Sequence, residues 1–391
     1  MSEYLFVLGK NPKLSIAEIE SYLEKSSLKN KIIEETANFA IFDINEHIEK
    51  DLINHLGGTL KIAKIEKKIP KKDLLEKEIE NIELNGSGKY FGISLYPEDK
   101  PHNSDFKLVK KISMLIKKKT KLKFFSYPKD RKFPELIHVE IIKKKLLENS
   151  FEIIIGIGKN TKYIGMTIQV HNPFEFKKRD VGRPNQRAIF SIPPRLAKIM
   201  INLSECKSTQ KLLDPFCGLG TIIQESLLEG INAYGVDNNE IIVKSSKENL
   251  KWLKDEYYLN FDVKDIIRED DSRELSSYFP EDSFDAIVTE PYLGSPLRSE
   301  TSLKEAEEIL EDLRKLFVTV FKEFHKVLKL NGKIVIVIPS IRSNEGIVDM
   351  DDTFTKETGF SVLKIFNDFG SRHKTLRKIY VIEKTSKNQI Q

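Results

Sequence analysis

Nothing else in the chain narrows its fold as far as the run KLLDPFCGLGT at residues 211–221. An apolar strand ends in Asp214, two glycines (Gly218 and Gly220) make a tight turn, and a helix opens at about Thr221. Glycine is needed where a side chain would keep the backbone from a ligand, and a helix N-terminus favours an anionic group. Seventeen residues after Gly220 a second strand ends in GVDNN, which places Asp237 to accept both hydroxyls of a ribose. The loop has two glycines and not the three of a G-x-G-x-x-G. An adenosyl ligand with a small charged tail therefore fits better than a dinucleotide with its pyrophosphate.

From Ile192 onward helices and strands alternate. A helix over 195–203 is entered through Pro193 and Pro194, which suits proline in a first helical turn. Strands are expected at 211–214, 232–236, 284–289 and 333–339, with helical periodicity between most of them. That rhythm predicts an α/β fold with a doubly wound, largely parallel sheet. Two last strands, 361–367 and 378–383, form an antiparallel hairpin closing the sheet edge through a basic turn.

The front half reads differently, and 391 residues suit two or three domains. A strand at 4–8 leads to a helix with Ser15 as N-cap and Glu18 completing a capping box. A strand at 38–42, a helix at 46–56 stopped by Gly57 and Gly58, and a strand at 60–65 complete a ferredoxin-like α+β unit, residues 1–84. The stretch NGSG at 85–88 marks the boundary of a second domain, 85–170. It holds a strand at 90–95 and a helix at 105–119 whose Leu108, Ile112, Leu115 and Ile116 share one face. Strand-like runs follow at 136–142, 151–157 and 163–170. Residues 171–190, polar and basic with two prolines, read as a linker to the domain at 191–391.

The formal charge of +5 conceals an asymmetry. Residues 107–145 carry fourteen basic and three acidic side chains, residues 171–200 seven and two, so the remainder is acidic. A basic middle in an acidic chain is the footprint of a polyanion binder. With 40% hydrophobic and 31% charged residues the chain is globular, and no apolar run approaches the roughly 18 residues of a membrane span. Glu3 and the lack of a basic leader argue against a secretory signal. Two cysteines leave no disulfide framework and no four-ligand zinc site. A cytoplasmic protein with no metal is the expectation.

The second chemical segment is FDAIVTEPYLG at 284–294, expected beside the first strand at the switch point of the sheet. Glu290 can accept a hydrogen bond from an exocyclic amine, the carbonyl of Pro291 can take its second proton, and Tyr292 can stack on the base. Together they would hold the nitrogen lone pair in line with an electrophilic methyl, so catalysis is mostly positioning and electrostatics.

Both segments, in this order and spacing, resemble S-adenosylmethionine-dependent class I methyltransferases that methylate amines. With RDVGRP at 179–184 and SIPPRLAKIMINLS at 191–204, the chain resembles the tRNA guanine N2-methyltransferase family of the guanine-10 type. The resemblance implies a class I methyltransferase domain preceded by a ferredoxin-like element and a THUMP-like RNA-binding domain. It also implies methyl transfer from S-adenosylmethionine to the exocyclic N2 amine of a guanosine in tRNA. Asp214, Phe216, Gly218, Gly220 and Thr221 would line the methionine end of the cofactor, Asp237 would hold the ribose, and Asp265 would contact the adenine amine. The family usually shows Asp-Pro-Pro and an aromatic where this turn reads Glu-Pro-Tyr-Leu. If Glu290 takes the Asp position, Tyr292 sits at the second proline and Leu293 at the aromatic.

On this reading Lys117, Lys118 and Lys119 belong to the RNA platform, and Arg179, Arg183 and Arg187 bridge from it to the catalytic mouth. Phosphate contacts position while the pocket specifies. Arg372, with His373, Lys374 and Arg377, forms the basic turn of the terminal hairpin, which either touches phosphates near the active site or is a solvated loop. Cys217 reads as a small loop residue. Some relatives of the family use a small activating subunit. The rivals are an adenine N6-methyltransferase acting on DNA or RNA, and a catalytically impaired tRNA-binding protein.

Overall fold

The computed structural model describes residues 2–128, 131–186, 192–297, 299–368 and 373–385, and divides into two compact units, 1–176 and 177–391. In the first unit β1 (Ser2–Leu8) is followed by α1 (Pro12–Lys25), β2 (Asn30–Glu35), β3 (Phe39–Ile44) and β4 (Thr59–Pro70). These strands lie in the order β2-β3-β1-β4, every pair antiparallel. The order is that of a split βαβ unit, with β3 between β1 and β2; β2 is a strand that the sequence pattern does not announce. Two local details differ. The α1 N-cap is Asn11, whose side chain accepts from Leu14 N at 3.3 Å, and Ser15 lies inside the helix. Glu18 instead accepts the backbone N–H groups of Gly57 and Gly58 at 2.6 and 2.7 Å. The helix expected over 46–56 shrinks to one 3₁₀ turn, Leu52–His55. The Gln169 side chain takes over its backbone groups, accepting from Ile53 N at 2.8 Å and donating to the Glu49 carbonyl at 2.6 Å.

The chain continues through α2 (Leu75–Asn81), β5 (Tyr90–Tyr96), α3 (Asn103–Thr120) and β6 (Lys123–Phe124). It then runs through α4 (His138–Lys143), α5 (Leu146–Asn149), β7 (Glu152–Ile157) and β8 (Thr161–Val170). Val109, Ile112 and Ile116 turn the buried face of α3 toward its core. The strand expected over 136–142 is the loop and helix around α4. Glu140 caps that helix through Ile137 N at 2.9 Å and binds Arg131 at 2.7 Å, partners that strand alternation does not reveal. Strand β8 pairs antiparallel with β4, so all eight strands form one sheet, β2-β3-β1-β4-β8-β7-β5-β6. The boundary expected at residue 84 thus falls inside a compact unit. Across that seam Lys61 of β4 is fully buried against Glu152 of β7 at 2.6 Å, and Ser94 and Thr167 donate to the same carboxylate. The linker expected at 171–190 begins with a further helix, α6 (Pro173–Val181).

In the second unit α7 (Pro194–Leu203) precedes β9 (Lys211–Asp214), α8 (Thr221–Leu228), β10 (Asn232–Asp237) and α9 (Glu240–Tyr257). Then come α10 (Val263–Ile266), β11 (Ile267–Glu269), β12 (Phe284–Thr289), α11 (Leu303–Val327), β13 (Leu328–Ser343) and β14 (Gly346–Asp349). Helix α12 (Thr353–Glu357), β15 (Phe360–Asp368) and β16 (Thr375–Lys384) complete it. The sheet order is β11-β10-β9-β12-β13-β16-β15. The strands β11, β10, β9, β12 and β13 run parallel, and β16 is antiparallel to both its neighbours. This is the doubly wound sheet with a terminal hairpin that the sequence predicts. The chain proceeds outward from β9 to β11, then returns to β12 on the other side of β9, which puts the switch point between β9 and β12. One face is sealed by the apolar stripe of α11 (Leu310, Phe317, Phe321, Phe324) against Ile287, Ile334 and Ile336. Among the described residues no helix is long and apolar enough to cross a membrane.

Candidate active site

Both chemical segments meet at the switch point. Asp214 ends β9 and is buried; its Oδ1 accepts from the Thr289 hydroxyl at 2.7 Å and from Phe216 N at 3.3 Å. Burial, helped by the charges of Asp237 and Glu290, pushes its carboxyl group up to about 7. Gly218 (φ +51°) and Gly220 (φ +80°) adopt the left-handed backbone that glycine enters without strain. A Cβ at Gly218 would meet no atom within 4 Å, so the loop faces open space there. At Gly220 it would strike Ser246 Oγ at 2.6 Å, so that glycine also serves packing against α9. Thr221 then opens α8 with its N–H groups facing the loop.

Asp237 closes β10 across from this turn. One carboxylate oxygen accepts from Gly218 N at 3.1 Å and the other from Asn239 N at 3.0 Å. Each oxygen keeps a lone pair for an outside donor, which is the pattern a vicinal diol requires. Buried beneath the loop, the Cys217 thiol is pushed well above its ordinary range by desolvation, so it is held as the neutral thiol.

Directly after β12, Pro291 is buried and Tyr292 is 57% exposed, its hydroxyl 3.2 Å from Ser295 Oγ. The carboxylate of Glu290 is gripped by Arg377 of β16. One oxygen accepts from Arg377 Nε, and the other accepts from a terminal guanidinium nitrogen at 3.2 Å. The structure therefore joins Asp214, Phe216, Gly218, Gly220, Thr221 and Asp237 with Glu290, Pro291 and Tyr292 at the carboxyl end of the parallel strands. It adds Thr289, which the sequence does not single out, and places Arg377, expected in the basic turn, on β16 against Glu290 and not on a phosphate. Thr289 adjoins the turn and was open to notice, whereas Arg377 lies 87 positions from Glu290 and no spacing rule links them.

Other expected residues are placed differently. Asp265 does not follow a strand; it lies exposed in α10, ahead of β11 and so at the end of that strand remote from the loop. Only at Asp270, whose N–H bonds the Asp237 carbonyl at 3.2 Å, does the chain emerge beside Asp237. Arg179 is 5% exposed and binds Glu225 through two nitrogens at 2.5 and 3.2 Å, so its charge is consumed inside the fold and cannot meet a phosphate. Arg183, 2% exposed, donates to Thr221 Oγ1 at 2.8 Å; it supports the glycine turn and is too buried to meet a phosphate. Lys119 is spent on the carbonyls of Glu80 and Ile82 at 2.7 and 2.6 Å, while Lys117 and Lys118 are exposed on the last turn of α3. Arg187 and Arg372 lie outside the described residues.

The raised carboxyl group of Asp214 makes stability depend on pH. The folded chain keeps this proton up to about pH 7, while the unfolded chain releases it near the ordinary 3.8. The stability this group contributes is full below about pH 4, declines as pH rises, and is lost above about pH 7, at most about 4 kcal/mol. Asp214→Asn keeps an acceptor for Thr289 and cannot ionise. Thermal melts at pH 5 and pH 8 should therefore show the variant gaining on the unaltered chain at the higher pH. A difference that stays constant across this range would exclude a buried, titrating Asp214.

Comparison with known proteins agrees with this architecture. Residues 184–363 match the RMKL-like methyltransferase domain. Over 252 residues the chain is 31% identical to the tRNA (guanine(10)-N2)-dimethyltransferase of Pyrococcus abyssi, covering 63% of this chain and 66% of that protein. It is 32% identical over 170 residues to the enzyme of the same name from Methanothermobacter thermautotrophicus, covering 43% of this chain and 45% of that protein. The match thus spans less than two thirds of the length of either relative. The crystal structure of TrmN from Thermus thermophilus aligns with a TM-score of 0.58 at 14% identity, over 98% of this chain and 99% of that one, a likeness of fold. Through residues 184–363 the chain is thus similar to the RMKL-like methyltransferase domain, and over part of its length to these archaeal tRNA (guanine(10)-N2)-dimethyltransferases.

Proposed function

We propose that the chain transfers a methyl group from S-adenosylmethionine to the exocyclic N2 amine of a guanosine in tRNA. The observation that carries this reading is the Thr289-Glu290-Pro291-Tyr292 turn, tied through Thr289 to Asp214 beside the glycine loop. Asp237 would hold the ribose hydroxyls, and the open face of Gly218 would admit the methionine end. Bound there, S-adenosylmethionine supplies an electrophilic methyl group. Glu290 accepts one hydrogen of the target amine and the Pro291 carbonyl the other, which aims the nitrogen lone pair. Tyr292, more than half exposed, offers its ring face to the base. These groups act by orientation and by stabilising the positive charge that develops on nitrogen. The target base must leave its stack, a cost of a few kcal/mol that is smallest in irregular RNA. Residues 85–170 serve on this reading as a THUMP-like platform, with Lys117 and Lys118 on the phosphates.

The test is to incubate the protein with labelled S-adenosylmethionine and unmodified tRNA, then digest and identify the labelled nucleoside. Label in N2-methylguanosine or its dimethyl form is the expected result, and label in adenosine would replace the substrate atom. Glu290→Ala should leave cofactor binding intact and lower turnover by about 100-fold or more. Unchanged turnover would remove Glu290 from the mechanism. No label at all, with cofactor and tRNA both bound, would favour a binding protein, a reading that the Glu-Pro-Tyr-Leu turn keeps in view.

A further inference from the structure

Glu290 carries one more methylene than the aspartate usual in its family, and so one more rotatable bond between backbone and carboxylate. Left alone, such a side chain occupies several staggered rotamers, few of which aim it at one point. In this fold it is not left alone. Arg377 stands on β16 opposite Pro339 of β13, in register with Asp368 of β15. Strand β13 lies between β12 and β16, so the guanidinium reaches across its carboxyl end to the turn after β12. There its fork takes both oxygens of Glu290. The carboxylate side chain is 10% exposed and the arginine 27%.

We propose that Arg377 is a positioning residue for the methyl acceptor: it clamps Glu290 in one rotamer and so aims the carboxylate at the target amine. A two-point fork fixes direction as well as distance, which a single ammonium cannot do. A carboxylate has about four lone-pair sites, and the fork uses two, leaving acceptor capacity for an amine hydrogen. The guanidinium also offsets the negative charge of Glu290 beside the buried Asp214. The short aspartate needs no such clamp; the longer glutamate does. This inference rests on the methyltransferase reading above.

The experiment compares steady-state transfer to unmodified tRNA by the unaltered chain, Arg377→Met, Arg377→Lys, Glu290→Gln and the double variant Glu290→Gln with Arg377→Met. Thermal melts establish that each is folded. Arg377→Met should lower kcat by about 100-fold, the scale of a misaimed reacting group, with KM for both substrates within about 3-fold. Arg377→Lys, which keeps the charge and loses the fork, should recover part of the rate, and it carries the test if the methionine variant does not fold. Because Arg377 acts through Glu290, Arg377→Met should cost nothing further in the Glu290→Gln background. Turnover unaffected by Arg377→Met, or a full additional loss in the double variant, overturns the proposal. A rise in kcat overturns it too, since Arg377 would then block the acceptor site. Transfer by the unaltered chain with indifference to Arg377 defeats this inference alone, whereas no transfer by any form defeats the reading beneath it.

Discussion

Replacing Asp237 by alanine should raise the dissociation constant for S-adenosylmethionine by a factor of about 100 to 10,000, while tRNA affinity stays unchanged. The carboxylate would make two charge-assisted hydrogen bonds to ribose hydroxyls, each worth about 1.5–3 kcal/mol, and both go with it. The variant also loses the acceptor that holds Gly218 N at 3.1 Å, so the turn that should admit the methionine end loses its tether. Asp237→Asn separates the two effects: its single oxygen can still accept from Gly218 but no longer serves two hydroxyls, so it should fall between. Calorimetric titration of cofactor and filter binding of tRNA measure both sides. Cofactor affinity within 3-fold of the unaltered chain would remove Asp237 from the ribose role.

The second large effect lies in the first unit. Lys61→Met should destabilise that unit by about 3–5 kcal/mol, because Glu152 would remain fully buried without a counter-charge. The carboxylate would keep only the Ser94 and Thr167 hydroxyls, at 2.5 and 2.6 Å. Adding Glu152→Gln removes the stranded charge and keeps an acceptor for the hydroxyls, so the double variant should regain more than half of the loss. Hydrogen exchange in β4 and β8, the strands at the seam, reports the relevant unfolding directly in the full chain. Equal exchange in the single variant and the unaltered chain would mean that the pair contributes no cohesion between the two halves of the sheet. The arrangement explains why a glycine-rich stretch at 85–88 misleads as a boundary. Local composition marks a turn, but the strands on either side of it complete one sheet and share one buried ion pair.

The same contrast runs through the elements. The 105–119 helix was legible because its apolar residues recur with the helical period, and α3 is within two residues of it. The stretch 136–142 was misread because alternation over a short apolar run does not separate strand from helix. The deciding partners are Arg131, through Glu140, and Ser94, which receives Leu136 N at 2.9 Å. The 46–56 segment has helical spacing, but Gln169 competes for its backbone from a strand more than a hundred positions away. The resemblance points to Asp265 for the adenine amine, but β11 is only three residues long and begins after it, so the acid lies at the amino end of that strand.

Charged residues show where reading from sequence stops. Arg179, Arg183 and Lys119 count toward a basic patch in any tally, yet each is committed to a partner within its own unit: Glu225, Thr221, and the carbonyls ending α2. By itself the sequence determined the strand–glycine turn–helix of β9 and α8, the acid ending β10, and the turn after β12. Each is encoded by consecutive residues whose backbone preferences and polarity act locally. Only the tertiary structure decided that Glu290 is held by Arg377, that Asp214 is buried enough to keep its proton near neutrality, and that the front half is one sheet. Those outcomes depend on desolvation and on partners brought together across distant strands, and neither quantity is a property of any single stretch of chain.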